Sequence, residues 1–327
     1  MGLDMPHGSK WRSLGRTGAK AAISALLLIL IVRQARLDLE HVATRLATAD
    51  LVFVAGAMLA FPALIVLKSL RWALLIRETG HRYPVRSCIR SYFAGFALGV
   101  ITPGRLGEFA KATYLRAEIG ADLGAAIRTV IADRIYDLLF LCSFGSVGYL
   151  NLVYVWPRFA WVAQFLAFHL CIVIAVFAFL RISRRLTVDS ASLRRFKELM
   201  EQVAQDFRGV TSLWNWLLTV LAYGLYFAMC YLLLLAIGIR VPFLTTCFIM
   251  GCMSLAMLLP ISIAGFGPRE ATLVFLLGNQ GVSAEAAVSF ALLQFLTTFL
   301  FGGILGAIAL LFAPLPLRRV REQEIQP

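Results

Sequence analysis

At 327 residues the chain is long enough for two soluble domains, but 60% of it is hydrophobic and only 15% charged, with a mean hydropathy of +0.80; soluble globular chains sit near ~45 to 50% apolar and ~25% charged. That composition excludes a soluble catalytic domain and makes the bilayer the relevant solvent. The formal net charge of +13 does not point to nucleic acid, because the basic residues gather between apolar runs, as in loops facing an anionic cytoplasmic leaflet.

A membrane-spanning helix needs about 20 apolar residues. Residues 1–18 read as a cytoplasmic N-terminus, and the basic stretch Lys10, Arg12, Arg16 and Lys20 precedes an apolar run from Ala21 to Val32. Arg33-Gln34-Ala35-Arg36 follows in place of a small-residue cleavage site, so a retained signal anchor is expected. Further full spans are expected from Leu51 to Leu67, Ile135 to Val155, Phe159 to Leu180, Leu213 to Ile239 and Ala286 to Ala313, about six in all. Two other apolar segments are broken. Ser91 to Pro103 is too short to cross and runs into Pro103-Gly104-Arg105-Leu106-Gly107-Glu108, while Val241 to Pro268 is interrupted at Pro260 and again at Gly265-Phe266-Gly267-Pro268. Both read as re-entrant.

Loop charges agree with this layout. Segment 68–90 holds six basic residues (Lys68, Arg71, Arg77, Arg82, Arg86, Arg90) against Glu78, and 181–208 holds seven basic against four acidic. The tail 314–327 is also basic, whereas 33–50 is balanced at three and three. If both broken segments return to the side they entered from, every basic loop and both termini fall in the cytoplasm, placing the chain in a cell (inner) membrane. Lone His169 and the cysteines (Cys88, Cys142, Cys171, Cys230, Cys247, Cys252) read as packing residues; no metal site or cofactor is expected. Trp214, Trp216, Tyr223, Tyr226 and Tyr231 read as an interfacial belt and helix packing, and Arg194 to Arg208 as a solvated connector.

Placing Glu108 against Glu270 brings two halves into register. Each glutamate ends a Pro- and Gly-rich break, and each lies 57 residues beyond the start of a span, at Leu51 and Leu213. Asp133 follows Glu108 by 25 residues and Gln294 follows Glu270 by 24, with Asp137 and Thr298 four further on. With three crossings each, repeat 1 (about 19–155) and repeat 2 (about 159–313) would be inserted in opposite orientations within one membrane domain, 19–313. The expected fold is therefore all-α, a polytopic membrane helix bundle of about six spans plus two re-entrant broken helices arranged as two inverted repeats, with both breaks lining one cavity.

Ionisable residues at bilayer depth are costly and normally face a partner or a wet cavity. Arg105, Glu108 and Lys111 cluster on the first break and Arg269 and Glu270 on the second; Asp133, Arg134 and Asp137 open a span, with the aspartates on one helix face. Arg105 and Arg269 suit a phosphate as guanidinium forks. The helix N-termini beyond the breaks would add N–H donors, and the acids would pair with the arginines or meet a cationic headgroup. The expected substrate-binding set is Arg105, Glu108, Lys111, Asp133, Arg134, Asp137, Arg269, Glu270 and Gln294, with helix breaks at Pro103, Gly104, Gly107, Pro260, Gly265 and Gly267.

Leu70-Arg71-Trp72, Thr102 through Glu108, Asp133-Arg134-Ile135-Tyr136-Asp137, and Pro260 through Gly265-Phe266-Gly267-Pro268-Arg269-Glu270 resemble the lysylphosphatidylglycerol synthase transmembrane family, also called flippase-like membrane proteins. The resemblance implies the translocating part of multiple-peptide-resistance proteins, which moves an aminoacylated phosphatidylglycerol between leaflets. Bifunctional members carry an aminoacyl-transferase domain after the membrane part. Here the sequence ends at Pro327, so a stand-alone translocase of a phosphate-bearing lipid is expected, with membrane lipids and a lipid-synthesising enzyme as partners. The alternatives are an intramembrane lipid-modifying enzyme using Glu108 or Asp133 as base, and a non-transporting subunit of a glycosyl- or acyltransferase system. No Gly-x-x-x-x-Gly-Lys-Ser/Thr motif provides for nucleotide drive.

Overall fold

The computed structural model describes residues 38–153, 201–202, 207, 210–257 and 267–316. Over that range it is built of helices without strands: α1 Leu39–Ala47, α2 Leu51–Glu78, α3 Val85–Ile101, a 3₁₀ segment Pro103–Phe109, α4 Ala110–Ile119, α5 Leu123–Val153, α6 Val210–Ala236, α7 Phe243–Ala256, α8 Pro268–Gly278, α9 Ala284–Gln294, a π-helical turn Phe295–Leu300 and α10 Phe301–Phe312. Three described stretches, Leu51–Glu78, Thr211–Ala236 and Ala284–Phe312, are long and apolar enough to cross a membrane. The expected spans at 21–32 and 159–180, together with His169, Cys171, Pro260 and Gly265, lie outside the described residues.

Helix α2 shows where hydropathy alone misplaces a boundary. The Asp50 carboxylate accepts from the Val52 N–H at 2.8 Å and starts the helix, which then runs 28 residues. The span expected to stop at Leu67 thus continues to Glu78, and Lys68 and Arg71, counted above as loop residues, lie inside the helix. Carboxylates on α5 neutralise both, a pairing that one segment's hydropathy does not register. Arg77, Arg82 and Arg86 keep the following connection basic and exposed. Asp133, Arg134 and Asp137 likewise do not open a helix. Helix α5 starts at Leu123, ten residues before Asp133.

The first break follows from Pro103. A residue before proline is pushed out of the helical region, and Thr102 is extended at φ −105°, ψ 138°. Its hydroxyl donates to the Leu98 carbonyl at 2.8 Å and accepts from the Gly107 N–H at 2.7 Å, tying both sides of the break together. A Cβ on Gly107 would stand 2.2 Å from the Leu98 oxygen, so only glycine permits this approach. Beyond it α4 folds back along α3: Glu118 near its end pairs with Arg90 near the start of α3 at 2.6 Å and accepts from the Tyr83 hydroxyl at 3.1 Å. The end of α4 therefore lies beside the start of α3. Helices α7 and α8 also pack on each other.

Among the described helices three pairs make the most extensive contacts: α2 with α6, α5 with α7, and α3 with α10. Helices α2 and α6 run antiparallel, since the Asp50 N–H donates to the Ala236 carbonyl at 2.8 Å while Arg71 reaches Thr219. The other two pairs close over small residues, as membrane helices do. Gly145 lies against Gly251, and Gly306 sits so near the Phe93 carbonyl that a Cβ would come within 2.3 Å of it. Leu59, Leu213, Leu311 and Phe312 point outward, exposed.

Candidate functional site

Two cations on α2 face two carboxylates on α5. Lys68 and Arg71 are one turn apart, as are Asp133 and Asp137. Arg71 is fully buried and donates to Asp133 Oδ1 through Nε (2.9 Å) and Nη2 (2.7 Å), and through Nη1 to the Thr219 hydroxyl (2.8 Å) on α6. Nη2 also stands 2.8 Å from Asp137 Oδ1. Asp133 Oδ2 accepts from Lys111 at 2.8 Å and Tyr92 at 3.0 Å. Lys68 donates to Asp137 Oδ2 at 2.7 Å. Burial of charge is tolerable only with such pairing, and every carboxylate oxygen named here has a cation beside it.

Beside this lattice opens a cavity of ≈ 180 Å³. Lys68, Arg105, Glu108, Arg134 and Asp137 give its wall polar atoms; Phe61, Leu64, Phe96, Val100 and Leu138 give it an apolar side; Tyr223, Tyr226, Ser254, Thr298 and Phe299 close it from the second half of the chain. Glu108 pairs with Arg134 and lies 3.8 Å from Arg105. Arg105 has φ 57°, the one non-glycine residue with positive φ among those described, and its guanidinium rests over the rings of Phe96 and Phe299 at 5.6 Å from each. Backbone strain of this kind concentrates at ligand clamps and switches.

Of the expected site residues, Arg105, Glu108, Arg134 and Asp137 meet at the cavity wall, while Lys111 and Asp133 lie behind it in the ion-pair lattice. Arg269 is buried, paired with Glu270, and 5.7 Å from the Phe299 ring. The two break arginines thus flank one phenylalanine, but only Arg105 reaches the wall. Glu270 also accepts from the Gly267 N–H at 2.7 Å, so the start of α8 already holds an anion; Gly267 itself has φ 93°. Gln294 turns its amide to Tyr226 (3.1 Å) and Cys230 (3.3 Å). Pro103, Gly104 and Gly107 form the 3₁₀ break. Lys68, Arg71, Tyr223 and Tyr226 were not foreseen at the site. For the two cations the signal is the three-residue spacing of Lys68 and Arg71, which complements the four-residue spacing of Asp133 and Asp137.

Among the described residues no group of three His, Cys, Asp or Glu is placed to hold a metal ion. The model of the family described as Lysylphosphatidylglycerol synthase TM region matches residues 19–306. Among curated proteins none matches the chain.

Proposed function

Because the chain belongs to the Lysylphosphatidylglycerol synthase TM region family, a membrane family tied to lipid modification or transport, we propose that it is a flippase-like lipid translocase. It carries a phosphate-bearing headgroup through the cavity beside Arg105. One observation bears the reading: the cavity wall combines cationic atoms with an apolar side and is drawn from both halves of the chain. A headgroup takes the polar side and acyl chains the apolar one.

The helix order supports two repeats of opposite orientation. Helix α2 corresponds to α6, α3 to α7, and α5 to the stretch from α9 through α10; the contact of α3 with α10 then has its counterpart in α7 with α5. Corresponding helices α2 and α6 run antiparallel, as inverted repeats require. The basic connection after α2 belongs in the cytoplasm of a cell membrane on this reading.

The enzyme alternative has less support. A general base must reach a substrate proton, whereas Asp133 is fully buried with both oxygens occupied, and Glu108 is engaged by Arg134. The test is reconstitution in liposomes with a fluorescent short-chain phospholipid. Leaflet exchange is expected to rise with wild-type protein and to fall about tenfold or more for Arg105→Ala, the loss of one charge-assisted contact. Exchange unaltered by either protein removes the translocase reading.

A further inference from the structure

The ion-pair lattice has a definite imbalance. Asp133 is shared by Arg71 and Lys111, Asp137 by Lys68 and Arg71, and Glu108 by Arg134 and Arg105. Five cations therefore surround three carboxylates among the described residues, an excess of two positive charges. Half of that excess lies at the cavity wall, where Lys68, Arg105 and Arg134 stand with Asp137 and Glu108, and the other half directly behind it, where Arg71 and Lys111 share Asp133. The side chains of Arg105, Arg134 and Lys68 are 40%, 26% and 15% exposed, while those of Asp137 and Glu108 are 9% and 4% exposed. A ligand entering this space meets guanidinium and ammonium groups with the acids behind them.

We propose that the site selects a dianionic headgroup, a phosphomonoester or diphosphate ester on an apolar tail, and disfavours a headgroup bearing an amine such as an aminoacyl ester. Resting on the translocase reading above, the proposal narrows its cargo. A phosphomonoester carries close to two negative charges near neutral pH, equal to the excess of the lattice as a whole, and its three terminal oxygens can accept from Arg105 and Arg134 together. A phosphodiester brings one charge and leaves one cation uncompensated. An aminoacylated phosphodiester adds a cation to a wall already positive, and like charges in a partly desolvated site repel strongly. The apolar side, with Phe61, Leu64 and Leu138, gives the ester's chain a place that a soluble anion does not use.

Calorimetric titration of the purified protein in detergent at pH 7.5 tests this with dioctanoyl phosphatidic acid, dioctanoyl phosphatidylglycerol, its lysyl ester, and inorganic phosphate. Phosphatidic acid is expected to bind about tenfold tighter than phosphatidylglycerol, and the lysyl ester weakest of the three lipids. Arg134→Gln should shrink the first ratio toward one, and Glu108→Gln, which raises the excess, should tighten phosphatidylglycerol. A lysyl ester that binds as well as phosphatidic acid overturns the proposal, and so does inorganic phosphate matching the lipid. Absent leaflet exchange with this binding order intact removes translocation but leaves the selectivity; exchange with the lysyl ester preferred does the reverse.

Discussion

Arg71 and Lys68 sit one turn apart on α2, yet their burial assigns them different work. Arg71 has no exposed surface and satisfies Asp133 from two nitrogens while reaching Thr219 with a third. Removing it leaves Asp133 Oδ1 buried without a donor and empties the Thr219 contact, with only Lys111 and Tyr92 left on Oδ2, and breaking a buried pair from one side costs up to about 3–5 kcal/mol. Arg71→Met is therefore expected to lower the thermal unfolding temperature of the purified protein sharply. Arg71→Lys, which keeps the charge but not the fork, should recover only part of the loss. Lys68 lines the cavity, and its partner Asp137 keeps Arg71 at 2.8 Å. Lys68→Met should leave unfolding closer to wild type and act on lipid binding. Equal destabilisation by both substitutions would show that the lattice is purely structural.

At the scale of elements, the first break depends on methyl groups missing from two glycines. Gly107 lies against the Leu98 carbonyl, and Gly99 lies against Glu108, where a Cβ would come 2.7 Å from Cγ. Gly107→Ala must push the 3₁₀ segment away from α3 and move Arg105 and Glu108 off the cavity wall. Leaflet exchange is expected to fall severalfold while the helix content measured by circular dichroism stays unchanged; full activity would mean that the close approach is dispensable. This break was legible in the sequence because proline and glycine act locally: Pro103 dictates the extended Thr102 whatever surrounds it. The ion pairs were not legible in the same way. Asp133 and Asp137 stood out as charges one turn apart, but besides Lys111 their counterions lie 62 to 69 positions away on α2, where charge counting absorbed them into a loop. The burial of Tyr223 at the cavity is a similar case, for an aromatic within an apolar span fits helix packing as well as a cavity wall. Pairing across helices is a tertiary property, and periodicity within one helix carries no record of it.

For the whole molecule, antiparallel packing of α2 and α6 turns a symmetry argument into a statement about sides. Because Asp50 meets Ala236 at one end of the pair and Arg71 meets Thr219 toward the other, the connection after Glu78 and the connection after Ala236 lie at opposite ends. The first carries Arg82 and is followed by Arg86; the second has Arg240 as its one basic residue. Orientation by basic loops puts the first in the cytoplasm. Two single-cysteine proteins, Arg82→Cys and Arg240→Cys, each in a background with its native cysteines replaced, should thus respond oppositely to a membrane-impermeant maleimide added to intact cells. Only the second should be labelled before lysis, and both after it. Labelling of both from outside, or of neither, would break the correspondence of α2 with α6 and with it the inverted repeat. Labelling of Arg82→Cys alone would keep the repeat and reverse its insertion, turning the basic connection outward against the charge rule. The topology and the symmetry thus fail in different ways, so one experiment separates them.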